Sequence, residues 1–262
     1  MTTRNSPNVT RQTLLAAAAS LALALPAAAQ TAQPRFDTEA TQEIESIIHR
    51  YLVEHPEVLL EALDALEAKR ATEQMASQKD AIEEHSTALF ASPEGTVLGN
   101  PDGDVTLVEF FDYNCGYCKQ AQADVDALLA ADPDIRFVLK EISVLGPQSL
   151  AASRVSLAVR ELAPERYGEF QRTLLGSRGV ADEAAAMGVA EDLGIETAPL
   201  RTAMSSPAVS AALAESNELA EGLAINGTPS YVLADGILAG AVGKEALAAG
   251  IANVRACGST SC

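Results

Sequence analysis

A chain of 262 residues carries 18 Lys and Arg against 36 Asp and Glu, a formal net charge of −18, with only three histidines. A protein this acidic is a poor partner for nucleic acid or anionic lipid, both of which select basic surfaces. Its four cysteines, Cys115, Cys118, Cys257 and Cys262, are too few to staple a chain of this length, so a packed apolar core has to supply the stability.

In chain order, the first element is a leader. Arg4 and Arg11 precede an apolar run from Leu14 to Leu25, followed by Pro26 and Ala27-Ala28-Ala29. The run is shorter than the roughly 20 residues that span hydrocarbon, and the alanines fit a small-residue cleavage site. Residues 1–29 therefore read as a secretory signal peptide cleaved near Ala29 rather than as a membrane anchor. Every later apolar run is broken by charge, Gly or Pro, which predicts a soluble exported product. Cleavage removes two basic residues and no acid, leaving 16 minus 36, or −20, a solvated acidic surface suited to the periplasm.

Residues 30–92 form a helical segment. Ile44, Ile47, Ile48, Tyr51 and Leu52, then Val58, Leu59, Leu63 and Leu66, recur at spacings of three and four, the period of amphipathic helices. Pro56 divides the segment, because a residue before proline avoids the helical region while proline suits a first helical turn. A helix, a corner near His55 and a second helix are predicted. Beyond Leu66 the pattern thins to Met75 and Ile82, so the segment has little core of its own. It has to dock on the rest of the chain or pair with a second copy.

Turn-forming clusters at Ser92-Pro93-Glu94-Gly95 and from Gly99 to Gly103 open a second domain, residues 93–262. Val105 to Phe111 is a strand. The cysteine pair follows, then a helix through Ala121, Val125, Leu128 and Leu129, then a second strand from Ile135 to Leu139. This is a βαβ unit with a parallel pair. Helices fill about 148–222, punctuated by Pro164, Gly176, Gly179, Gly194 and Pro207. Tyr231 to Ala234 and Ile237 to Ala239 then flank Asp235-Gly236, a two-residue hairpin signal, and a last helix runs from about Lys244 to Val254. The order βαβ, helical insertion, ββα defines an α/β chain, a thioredoxin fold with an inserted helical subdomain, preceded by an N-terminal helical extension.

Cys115-Gly116-Tyr117-Cys118 falls where a buried strand turns into a helix, which sets the first sulfur beside unpaired backbone N–H groups that favour a thiolate. Thiolates are the attacking species in disulfide exchange. Cys115 is thus expected to be the exposed nucleophile, and Cys118, one turn further in, the resolving thiol. A zinc site is the competing reading, but the offset of Cys257 and Cys262 and the upstream positions of His49, His55 and His85 do not suit one, so no metal is expected. An inert structural staple would gain little from so short a loop. With no histidine after His85, hydrolysis by a Ser-His-Asp or Cys-His arrangement is disfavoured. Glu109, six residues before Cys115, is either a buried acid that relays the Cys118 proton or a water-facing residue of an edge strand. Thr228-Pro229, just before the hairpin, is either a trans turn or a cis peptide.

Three separated motifs carry a resemblance: Val108 to Cys118, Val144-Leu145-Gly146-Pro147, and Gly227-Thr228-Pro229. Together they resemble the DsbA-type periplasmic thiol-disulfide oxidoreductases over roughly residues 93 to 255. The resemblance implies catalytic Cys115 and Cys118, a cis Thr228-Pro229 bond at which Thr228 and Pro229 dock substrate beside Gly116 and Tyr117, and Glu109 as the buried strand acid. It implies no cofactor. Strongly oxidising members carry Pro-His between the cysteines; Gly116-Tyr117 is similar to the dipeptide of periplasmic disulfide isomerases. Tyr51 to Leu59 resembles the helical extension of ScsC-like, copper-tolerance-associated proteins, which oligomerise through it. The implied partners are exported proteins with thiols or disulfides, a membrane redox protein that resets the pair, and further copies of the chain through residues 30–92. Isomerase or reductase activity is favoured over general oxidation. The alternative is a copper-handling protein holding Cu(I) on the same soft thiolates. Cys257 and Cys262 have no counterpart in the family; with Gly258 between them they read as a tail disulfide.

Overall fold

The computed structural model describes residues 36–93 and 95–262, so the signal peptide expected over residues 1–29 lies outside the described residues. The described residues divide into two compact units, one ending at Glu61 and the other beginning at Ala62.

In the first unit, α1 (Thr38–Glu54) starts at Asp37, whose side chain accepts from the Ala40 N–H at 2.8 Å. Such a bond satisfies one of the orphan donors of a first helical turn. The helix stops at His55, whose N–H donates to the Tyr51 carbonyl at 2.8 Å. After Pro56 a second helix, α2 (Glu57–Phe90), begins, so the corner falls where the proline predicted it. Among the described residues of α1 none is buried; Ile44, Ile47, Ile48 and Tyr51 are all exposed, Ile48 at 52%.

The second unit is built on a five-stranded mixed sheet in the order β1-β3-β2-β4-β5. The strands are β1 (Leu98–Gly99), β2 (Val105–Phe111), β3 (Ile135–Glu141), β4 (Ser230–Leu233) and β5 (Gly236–Ala239). β2 lies at the centre, parallel to β3 and antiparallel to β4. Its near-continuous apolar run fits a strand covered on both faces. On one face Leu107, Phe111, Phe137, Leu139, Tyr231 and Leu233 join Cys118, Val125 and Leu128 of α3 (Gly116–Ala131) and Leu247 and Ile251 of the last helix in one core. On the other, Val108, Phe110, Val138 and Val232 meet Ile82 and Leu89 of α2. The later part of α2 therefore docks on the sheet. Its C-terminal carbonyls are held from β3, where Arg136 donates to the Phe90 oxygen and Lys140 to that of Ala88, each at 2.8 Å. Cations placed there answer the unpaired carbonyls of a helix end.

Between β3 and β4 run five helices: α4 (Pro147–Leu162), α5 (Pro164–Leu175), α6 (Glu183–Asp192), α7 (Thr197–Ala203) and α8 (Pro207–Gly222). Prolines open three of them, where the missing N–H costs nothing. The chain closes with α9 (Lys244–Cys257). This is the predicted thioredoxin fold with its helical insertion.

Two local expectations need correction. β1 was not predicted: the Gly99 turn pairs with β3, and a Cβ at Gly99 would fall 2.5 Å from the Ile135 carbonyl oxygen, so glycine there admits a neighbouring backbone. The hairpin turn is Ala234-Asp235, one residue earlier than Asp235-Gly236, since Leu233 pairs with Gly236. Ala234 takes the left-handed conformation (φ 50°), while a Cβ on Gly236 would lie 2.8 Å from the Thr260 hydroxyl. The glycine serves packing of the tail rather than the turn.

Candidate active site

β2 delivers the chain to a loop, Asp112-Tyr113-Asn114, that ends on Cys115, the N-cap of α3. Asp112 is buried and ties the loop down. Its carboxylate accepts from the Asn114 N–H at 2.8 Å, the Ser149 hydroxyl at 2.7 Å and the Leu145 N–H at 3.0 Å, while its backbone carbonyl accepts from the Cys115 N–H at 3.0 Å. Asn114 exchanges two bonds with the backbone of Ala181, both at 2.8 Å, and donates to Ser149 at 3.0 Å. Behind the loop, Ser156 donates to Glu141 at 2.7 Å, so the Tyr113 hydroxyl, 2.6 Å from Ser156, is the donor to it; Tyr167 also donates to Glu141 at 2.9 Å. Burial pushes the Glu141 carboxyl up to about 7.

Cys115 and Cys118 are both free thiols. Cys115 is not the exposed residue expected from sequence: only 6% of it is accessible, and its thiol donates to the Thr228 carbonyl at 3.1 Å. The segment before Pro229 comes against the sulfur, a closeness invisible in the linear chain. The Thr228-Pro229 peptide is cis. Gly116 and Tyr117 lie at the surface, Tyr117 67% exposed, with Val144 and Leu145 as further exposed apolar residues on the loop that Asp112 anchors. Cys118 is fully buried, and that burial holds its thiol well above the usual range; the charge of Glu109 acts in the same direction, against a backbone hydrogen bond at Asp112.

Glu109 stands on the central strand and is 3% exposed, which removes the edge-strand reading. Burial pushes its carboxyl up to about 8, and a hydrogen bond from Tyr231 opposes the shift. Tyr231 is its direct partner across β2 and β4 and donates to the Glu109 carboxyl oxygen at 3.2 Å. Cys257 and Cys262 are joined to each other, as the tail disulfide reading expected. Among the described residues, no three His, Cys, Asp or Glu side chains form a group that could hold a metal ion. The arrangement therefore provides a buried dithiol with a buried acid on the adjoining strand, under the loop that carries the Thr228 carbonyl.

Sequence reasoning missed Asp112, Asn114, Ser149 and Tyr231. The first two carried a signal, since Asp and Asn just before a helix often bond to the backbone two residues on. Tyr231 carried none, being 122 positions from Glu109.

The DSBA-like thioredoxin domain family matches residues 106–252, and the family described as the copper resistance protein ScsC N-terminal domain matches residues 41–73. A thioredoxin-like oxidoreductase from Silicibacter pomeroyi DSS-3 is 42% identical, with 64% of this chain and 96% of that one covered and a TM-score of 0.61. ScsC of Proteus mirabilis in a transitional conformation is 28% identical, covering 82% of this chain and 94% of that one at a TM-score of 0.60. The Na(+)/H(+) antiporter NhaA 1 of Salinispora arenicola is 27% identical over 157 residues, 59% of this chain, which spans only 24% of that relative's length. No helix among the described residues is long and apolar enough to cross a membrane. Since the match at residues 106–252 takes in more than half of the 262 residues, along with the cysteine pair, the cis-proline loop and the central acid, the chain belongs to the DSBA-like thioredoxin domain family.

Proposed function

We propose that the chain is a periplasmic thiol-disulfide oxidoreductase that exchanges disulfides with exported proteins, acting as an isomerase or reductase in preference to a general oxidase. The observation that carries this reading is the Cys115 thiol, set at the start of α3 against the Thr228 carbonyl, with Cys118 one turn behind it. The Cys115 thiolate attacks one sulfur of a client disulfide, and the other client sulfur leaves as a thiolate. Cys118, once deprotonated, then attacks the Cys115 sulfur and closes the intramolecular disulfide, releasing the second client thiolate. Two electrons pass to the client; the reverse sequence oxidises it. Thr228 and Pro229 receive the client chain, and Tyr117, exposed beside the cysteines, gives it an apolar contact.

Isomerisation is favoured by Gly116-Tyr117 and by the apolar stripe Ile44, Ile47, Ile48 and Tyr51, which is open to solvent in one copy of the chain. Covering that stripe with another copy would gather several active sites around one client and raise the effective thiol concentration. An unidentified membrane redox protein would reset the pair. A Cu(I)-handling role on the same thiolates is the second reading, favoured by the match of residues 41–73 to a family described by copper resistance.

The experiment is insulin reduction and reactivation of scrambled ribonuclease by the mature protein with copper chelated, alongside light scattering of the protein and of Ile47→Asp with Tyr51→Asp. Catalysis without copper and an oligomer that the double variant dissociates are expected. No catalysis of either reaction refutes the exchange reading. A monomeric parent protein, or a dissociated variant with undiminished ribonuclease reactivation, refutes the role of the stripe.

A further inference from the structure

The central acid has a tyrosine for its partner across the sheet. Glu109 is flanked on β3 by Leu139 and on β4 by Tyr231, and the Tyr231 hydroxyl is its hydrogen-bond donor among the described residues. Both groups are buried on the α3 face of the sheet, in the core that contains Cys118. The ionisable groups whose fields reach the pair are Cys118, Asp124 and Asp126 of α3. α9, which covers the same face, brings Leu247, Gly250 and Ile251 as its buried residues. A phenol confined among these groups has little freedom, and its proton points at the carboxyl.

We propose that Tyr231 is a positioning residue for proton transfer at Cys118: its hydroxyl fixes the Glu109 carboxylate as the group that takes up the Cys118 proton during resolution. The step balances within the proposed exchange reaction, on which this inference rests. The Cys118 sulfur gives its proton to the Glu109 carboxylate and bonds to the Cys115 sulfur. The bond from Cys115 to the client sulfur breaks, and the client sulfur leaves with the electron pair. The phenol itself is not consumed. By donating to one carboxylate oxygen it stabilises the charged base and leaves the other oxygen to receive the proton. A carboxyl without that donor would stay protonated over a wider pH range and be idle as a base. The Tyr231 hydroxyl opposes the upward push that burial exerts on Glu109, in line with this role.

The test isolates resolution. Cys115 is converted to its mixed disulfide with glutathione at acid pH, the protein is transferred to a series of pH values, and glutathione release is timed for the parent, Tyr231→Phe, Glu109→Gln and the double variant. The parent is expected to show an inflection near pH 8, the position of the Glu109 titration. Tyr231→Phe should move it upward by about one unit and slow release below it by about tenfold, as expected for loss of a hydrogen bond to a charged group. On the Glu109→Gln background the Tyr231 change should do nothing further. Infrared difference spectra of the Glu109 carboxyl provide a second readout and should show the same upward displacement in Tyr231→Phe. A Tyr231→Phe profile that overlies the parent's, or a slowing equal at every pH and still present without Glu109, would overturn the proposal. A parent protein whose Cys118 releases no glutathione would instead bring down the exchange function beneath it.

Discussion

Replacing Glu109 by Gln should make the fold more stable and the enzyme slower, and the gain should depend on pH in a calculable way. Burial holds the carboxyl near 8 against an ordinary value of 4.5. The folded chain thus keeps a proton that the unfolded chain surrenders. For a group raised in this direction, the stability it contributes is full below about pH 4.5 and is lost as pH climbs toward 8. At pH 7 the unfolded glutamate has gained about 2.5 units of ionisation free energy that the folded one forgoes, or about 3 kcal/mol at roughly 1.4 kcal/mol per unit. At pH 5.5 the difference is about 1 kcal/mol. Glutamine, neutral throughout and still able to accept from Tyr231, escapes this cost. Urea unfolding followed by circular dichroism, with both proteins reduced under the same conditions, should therefore show Glu109→Gln ahead by about 3 kcal/mol at pH 7 and by about 1 kcal/mol at pH 5.5. A variant no more stable than its parent at pH 7, or one whose advantage shrinks as pH rises, would refute the reasoning.

Three further outcomes are expected. A brief iodoacetamide pulse on the reduced protein should label Cys115 and spare Cys118, read by mass mapping, because Cys118 is fully buried and burial disfavours its thiolate. Ser156→Ala should cost about 1–3 kcal/mol in urea unfolding, since it strips the Tyr113 hydroxyl of its acceptor and Glu141 of a donor. Its cost should grow above pH 7, where the buried Glu141 ionises, which denaturation at pH 6 and pH 8 would register. Replacing Cys257 and Cys262 together by Ser should lower stability by no more than about 2 kcal/mol for so short a loop and leave insulin reduction unchanged.

Much of this was legible in the chain because local signals and tertiary demands agreed. The apolar run from Val105 to Phe111 is a central strand, Pro56 marks the corner between α1 and α2, and Cys115 begins a helix. What could not be read were the contacts that bring distant residues together. The accessibility of Cys115 is decided by a carbonyl 113 positions away, and the meaning of Glu109 by a tyrosine on β4. Gly236 misled for the same reason: a glycine beside an aspartate signals a turn, but here it makes room for Thr260. The stripe of Ile44, Ile47, Ile48 and Tyr51 was visible as periodicity, but that α1 leaves all four exposed could not be read from spacing alone.

The clasp around Asp112 and Asn114 bears on the proposed change of redox state. The loop leading to Cys115 is fastened to the start of α4 through Ser149 and to the segment before α6 through both backbone groups of Ala181. A strap held at two places on the helical insertion has little slack. In the proposed exchange, making or breaking a bond between Cys115 and Cys118 would then call for rotation of the sulfurs about their side-chain torsions rather than migration of the loop. The reorganisation accompanying the proposed exchange should be correspondingly small, and the amide protons of Asn114 and Ala181 should exchange with solvent at matching rates in dithiol and disulfide protein. The insertion would serve as a chassis that keeps the two sulfurs aligned in either direction of the proposed exchange.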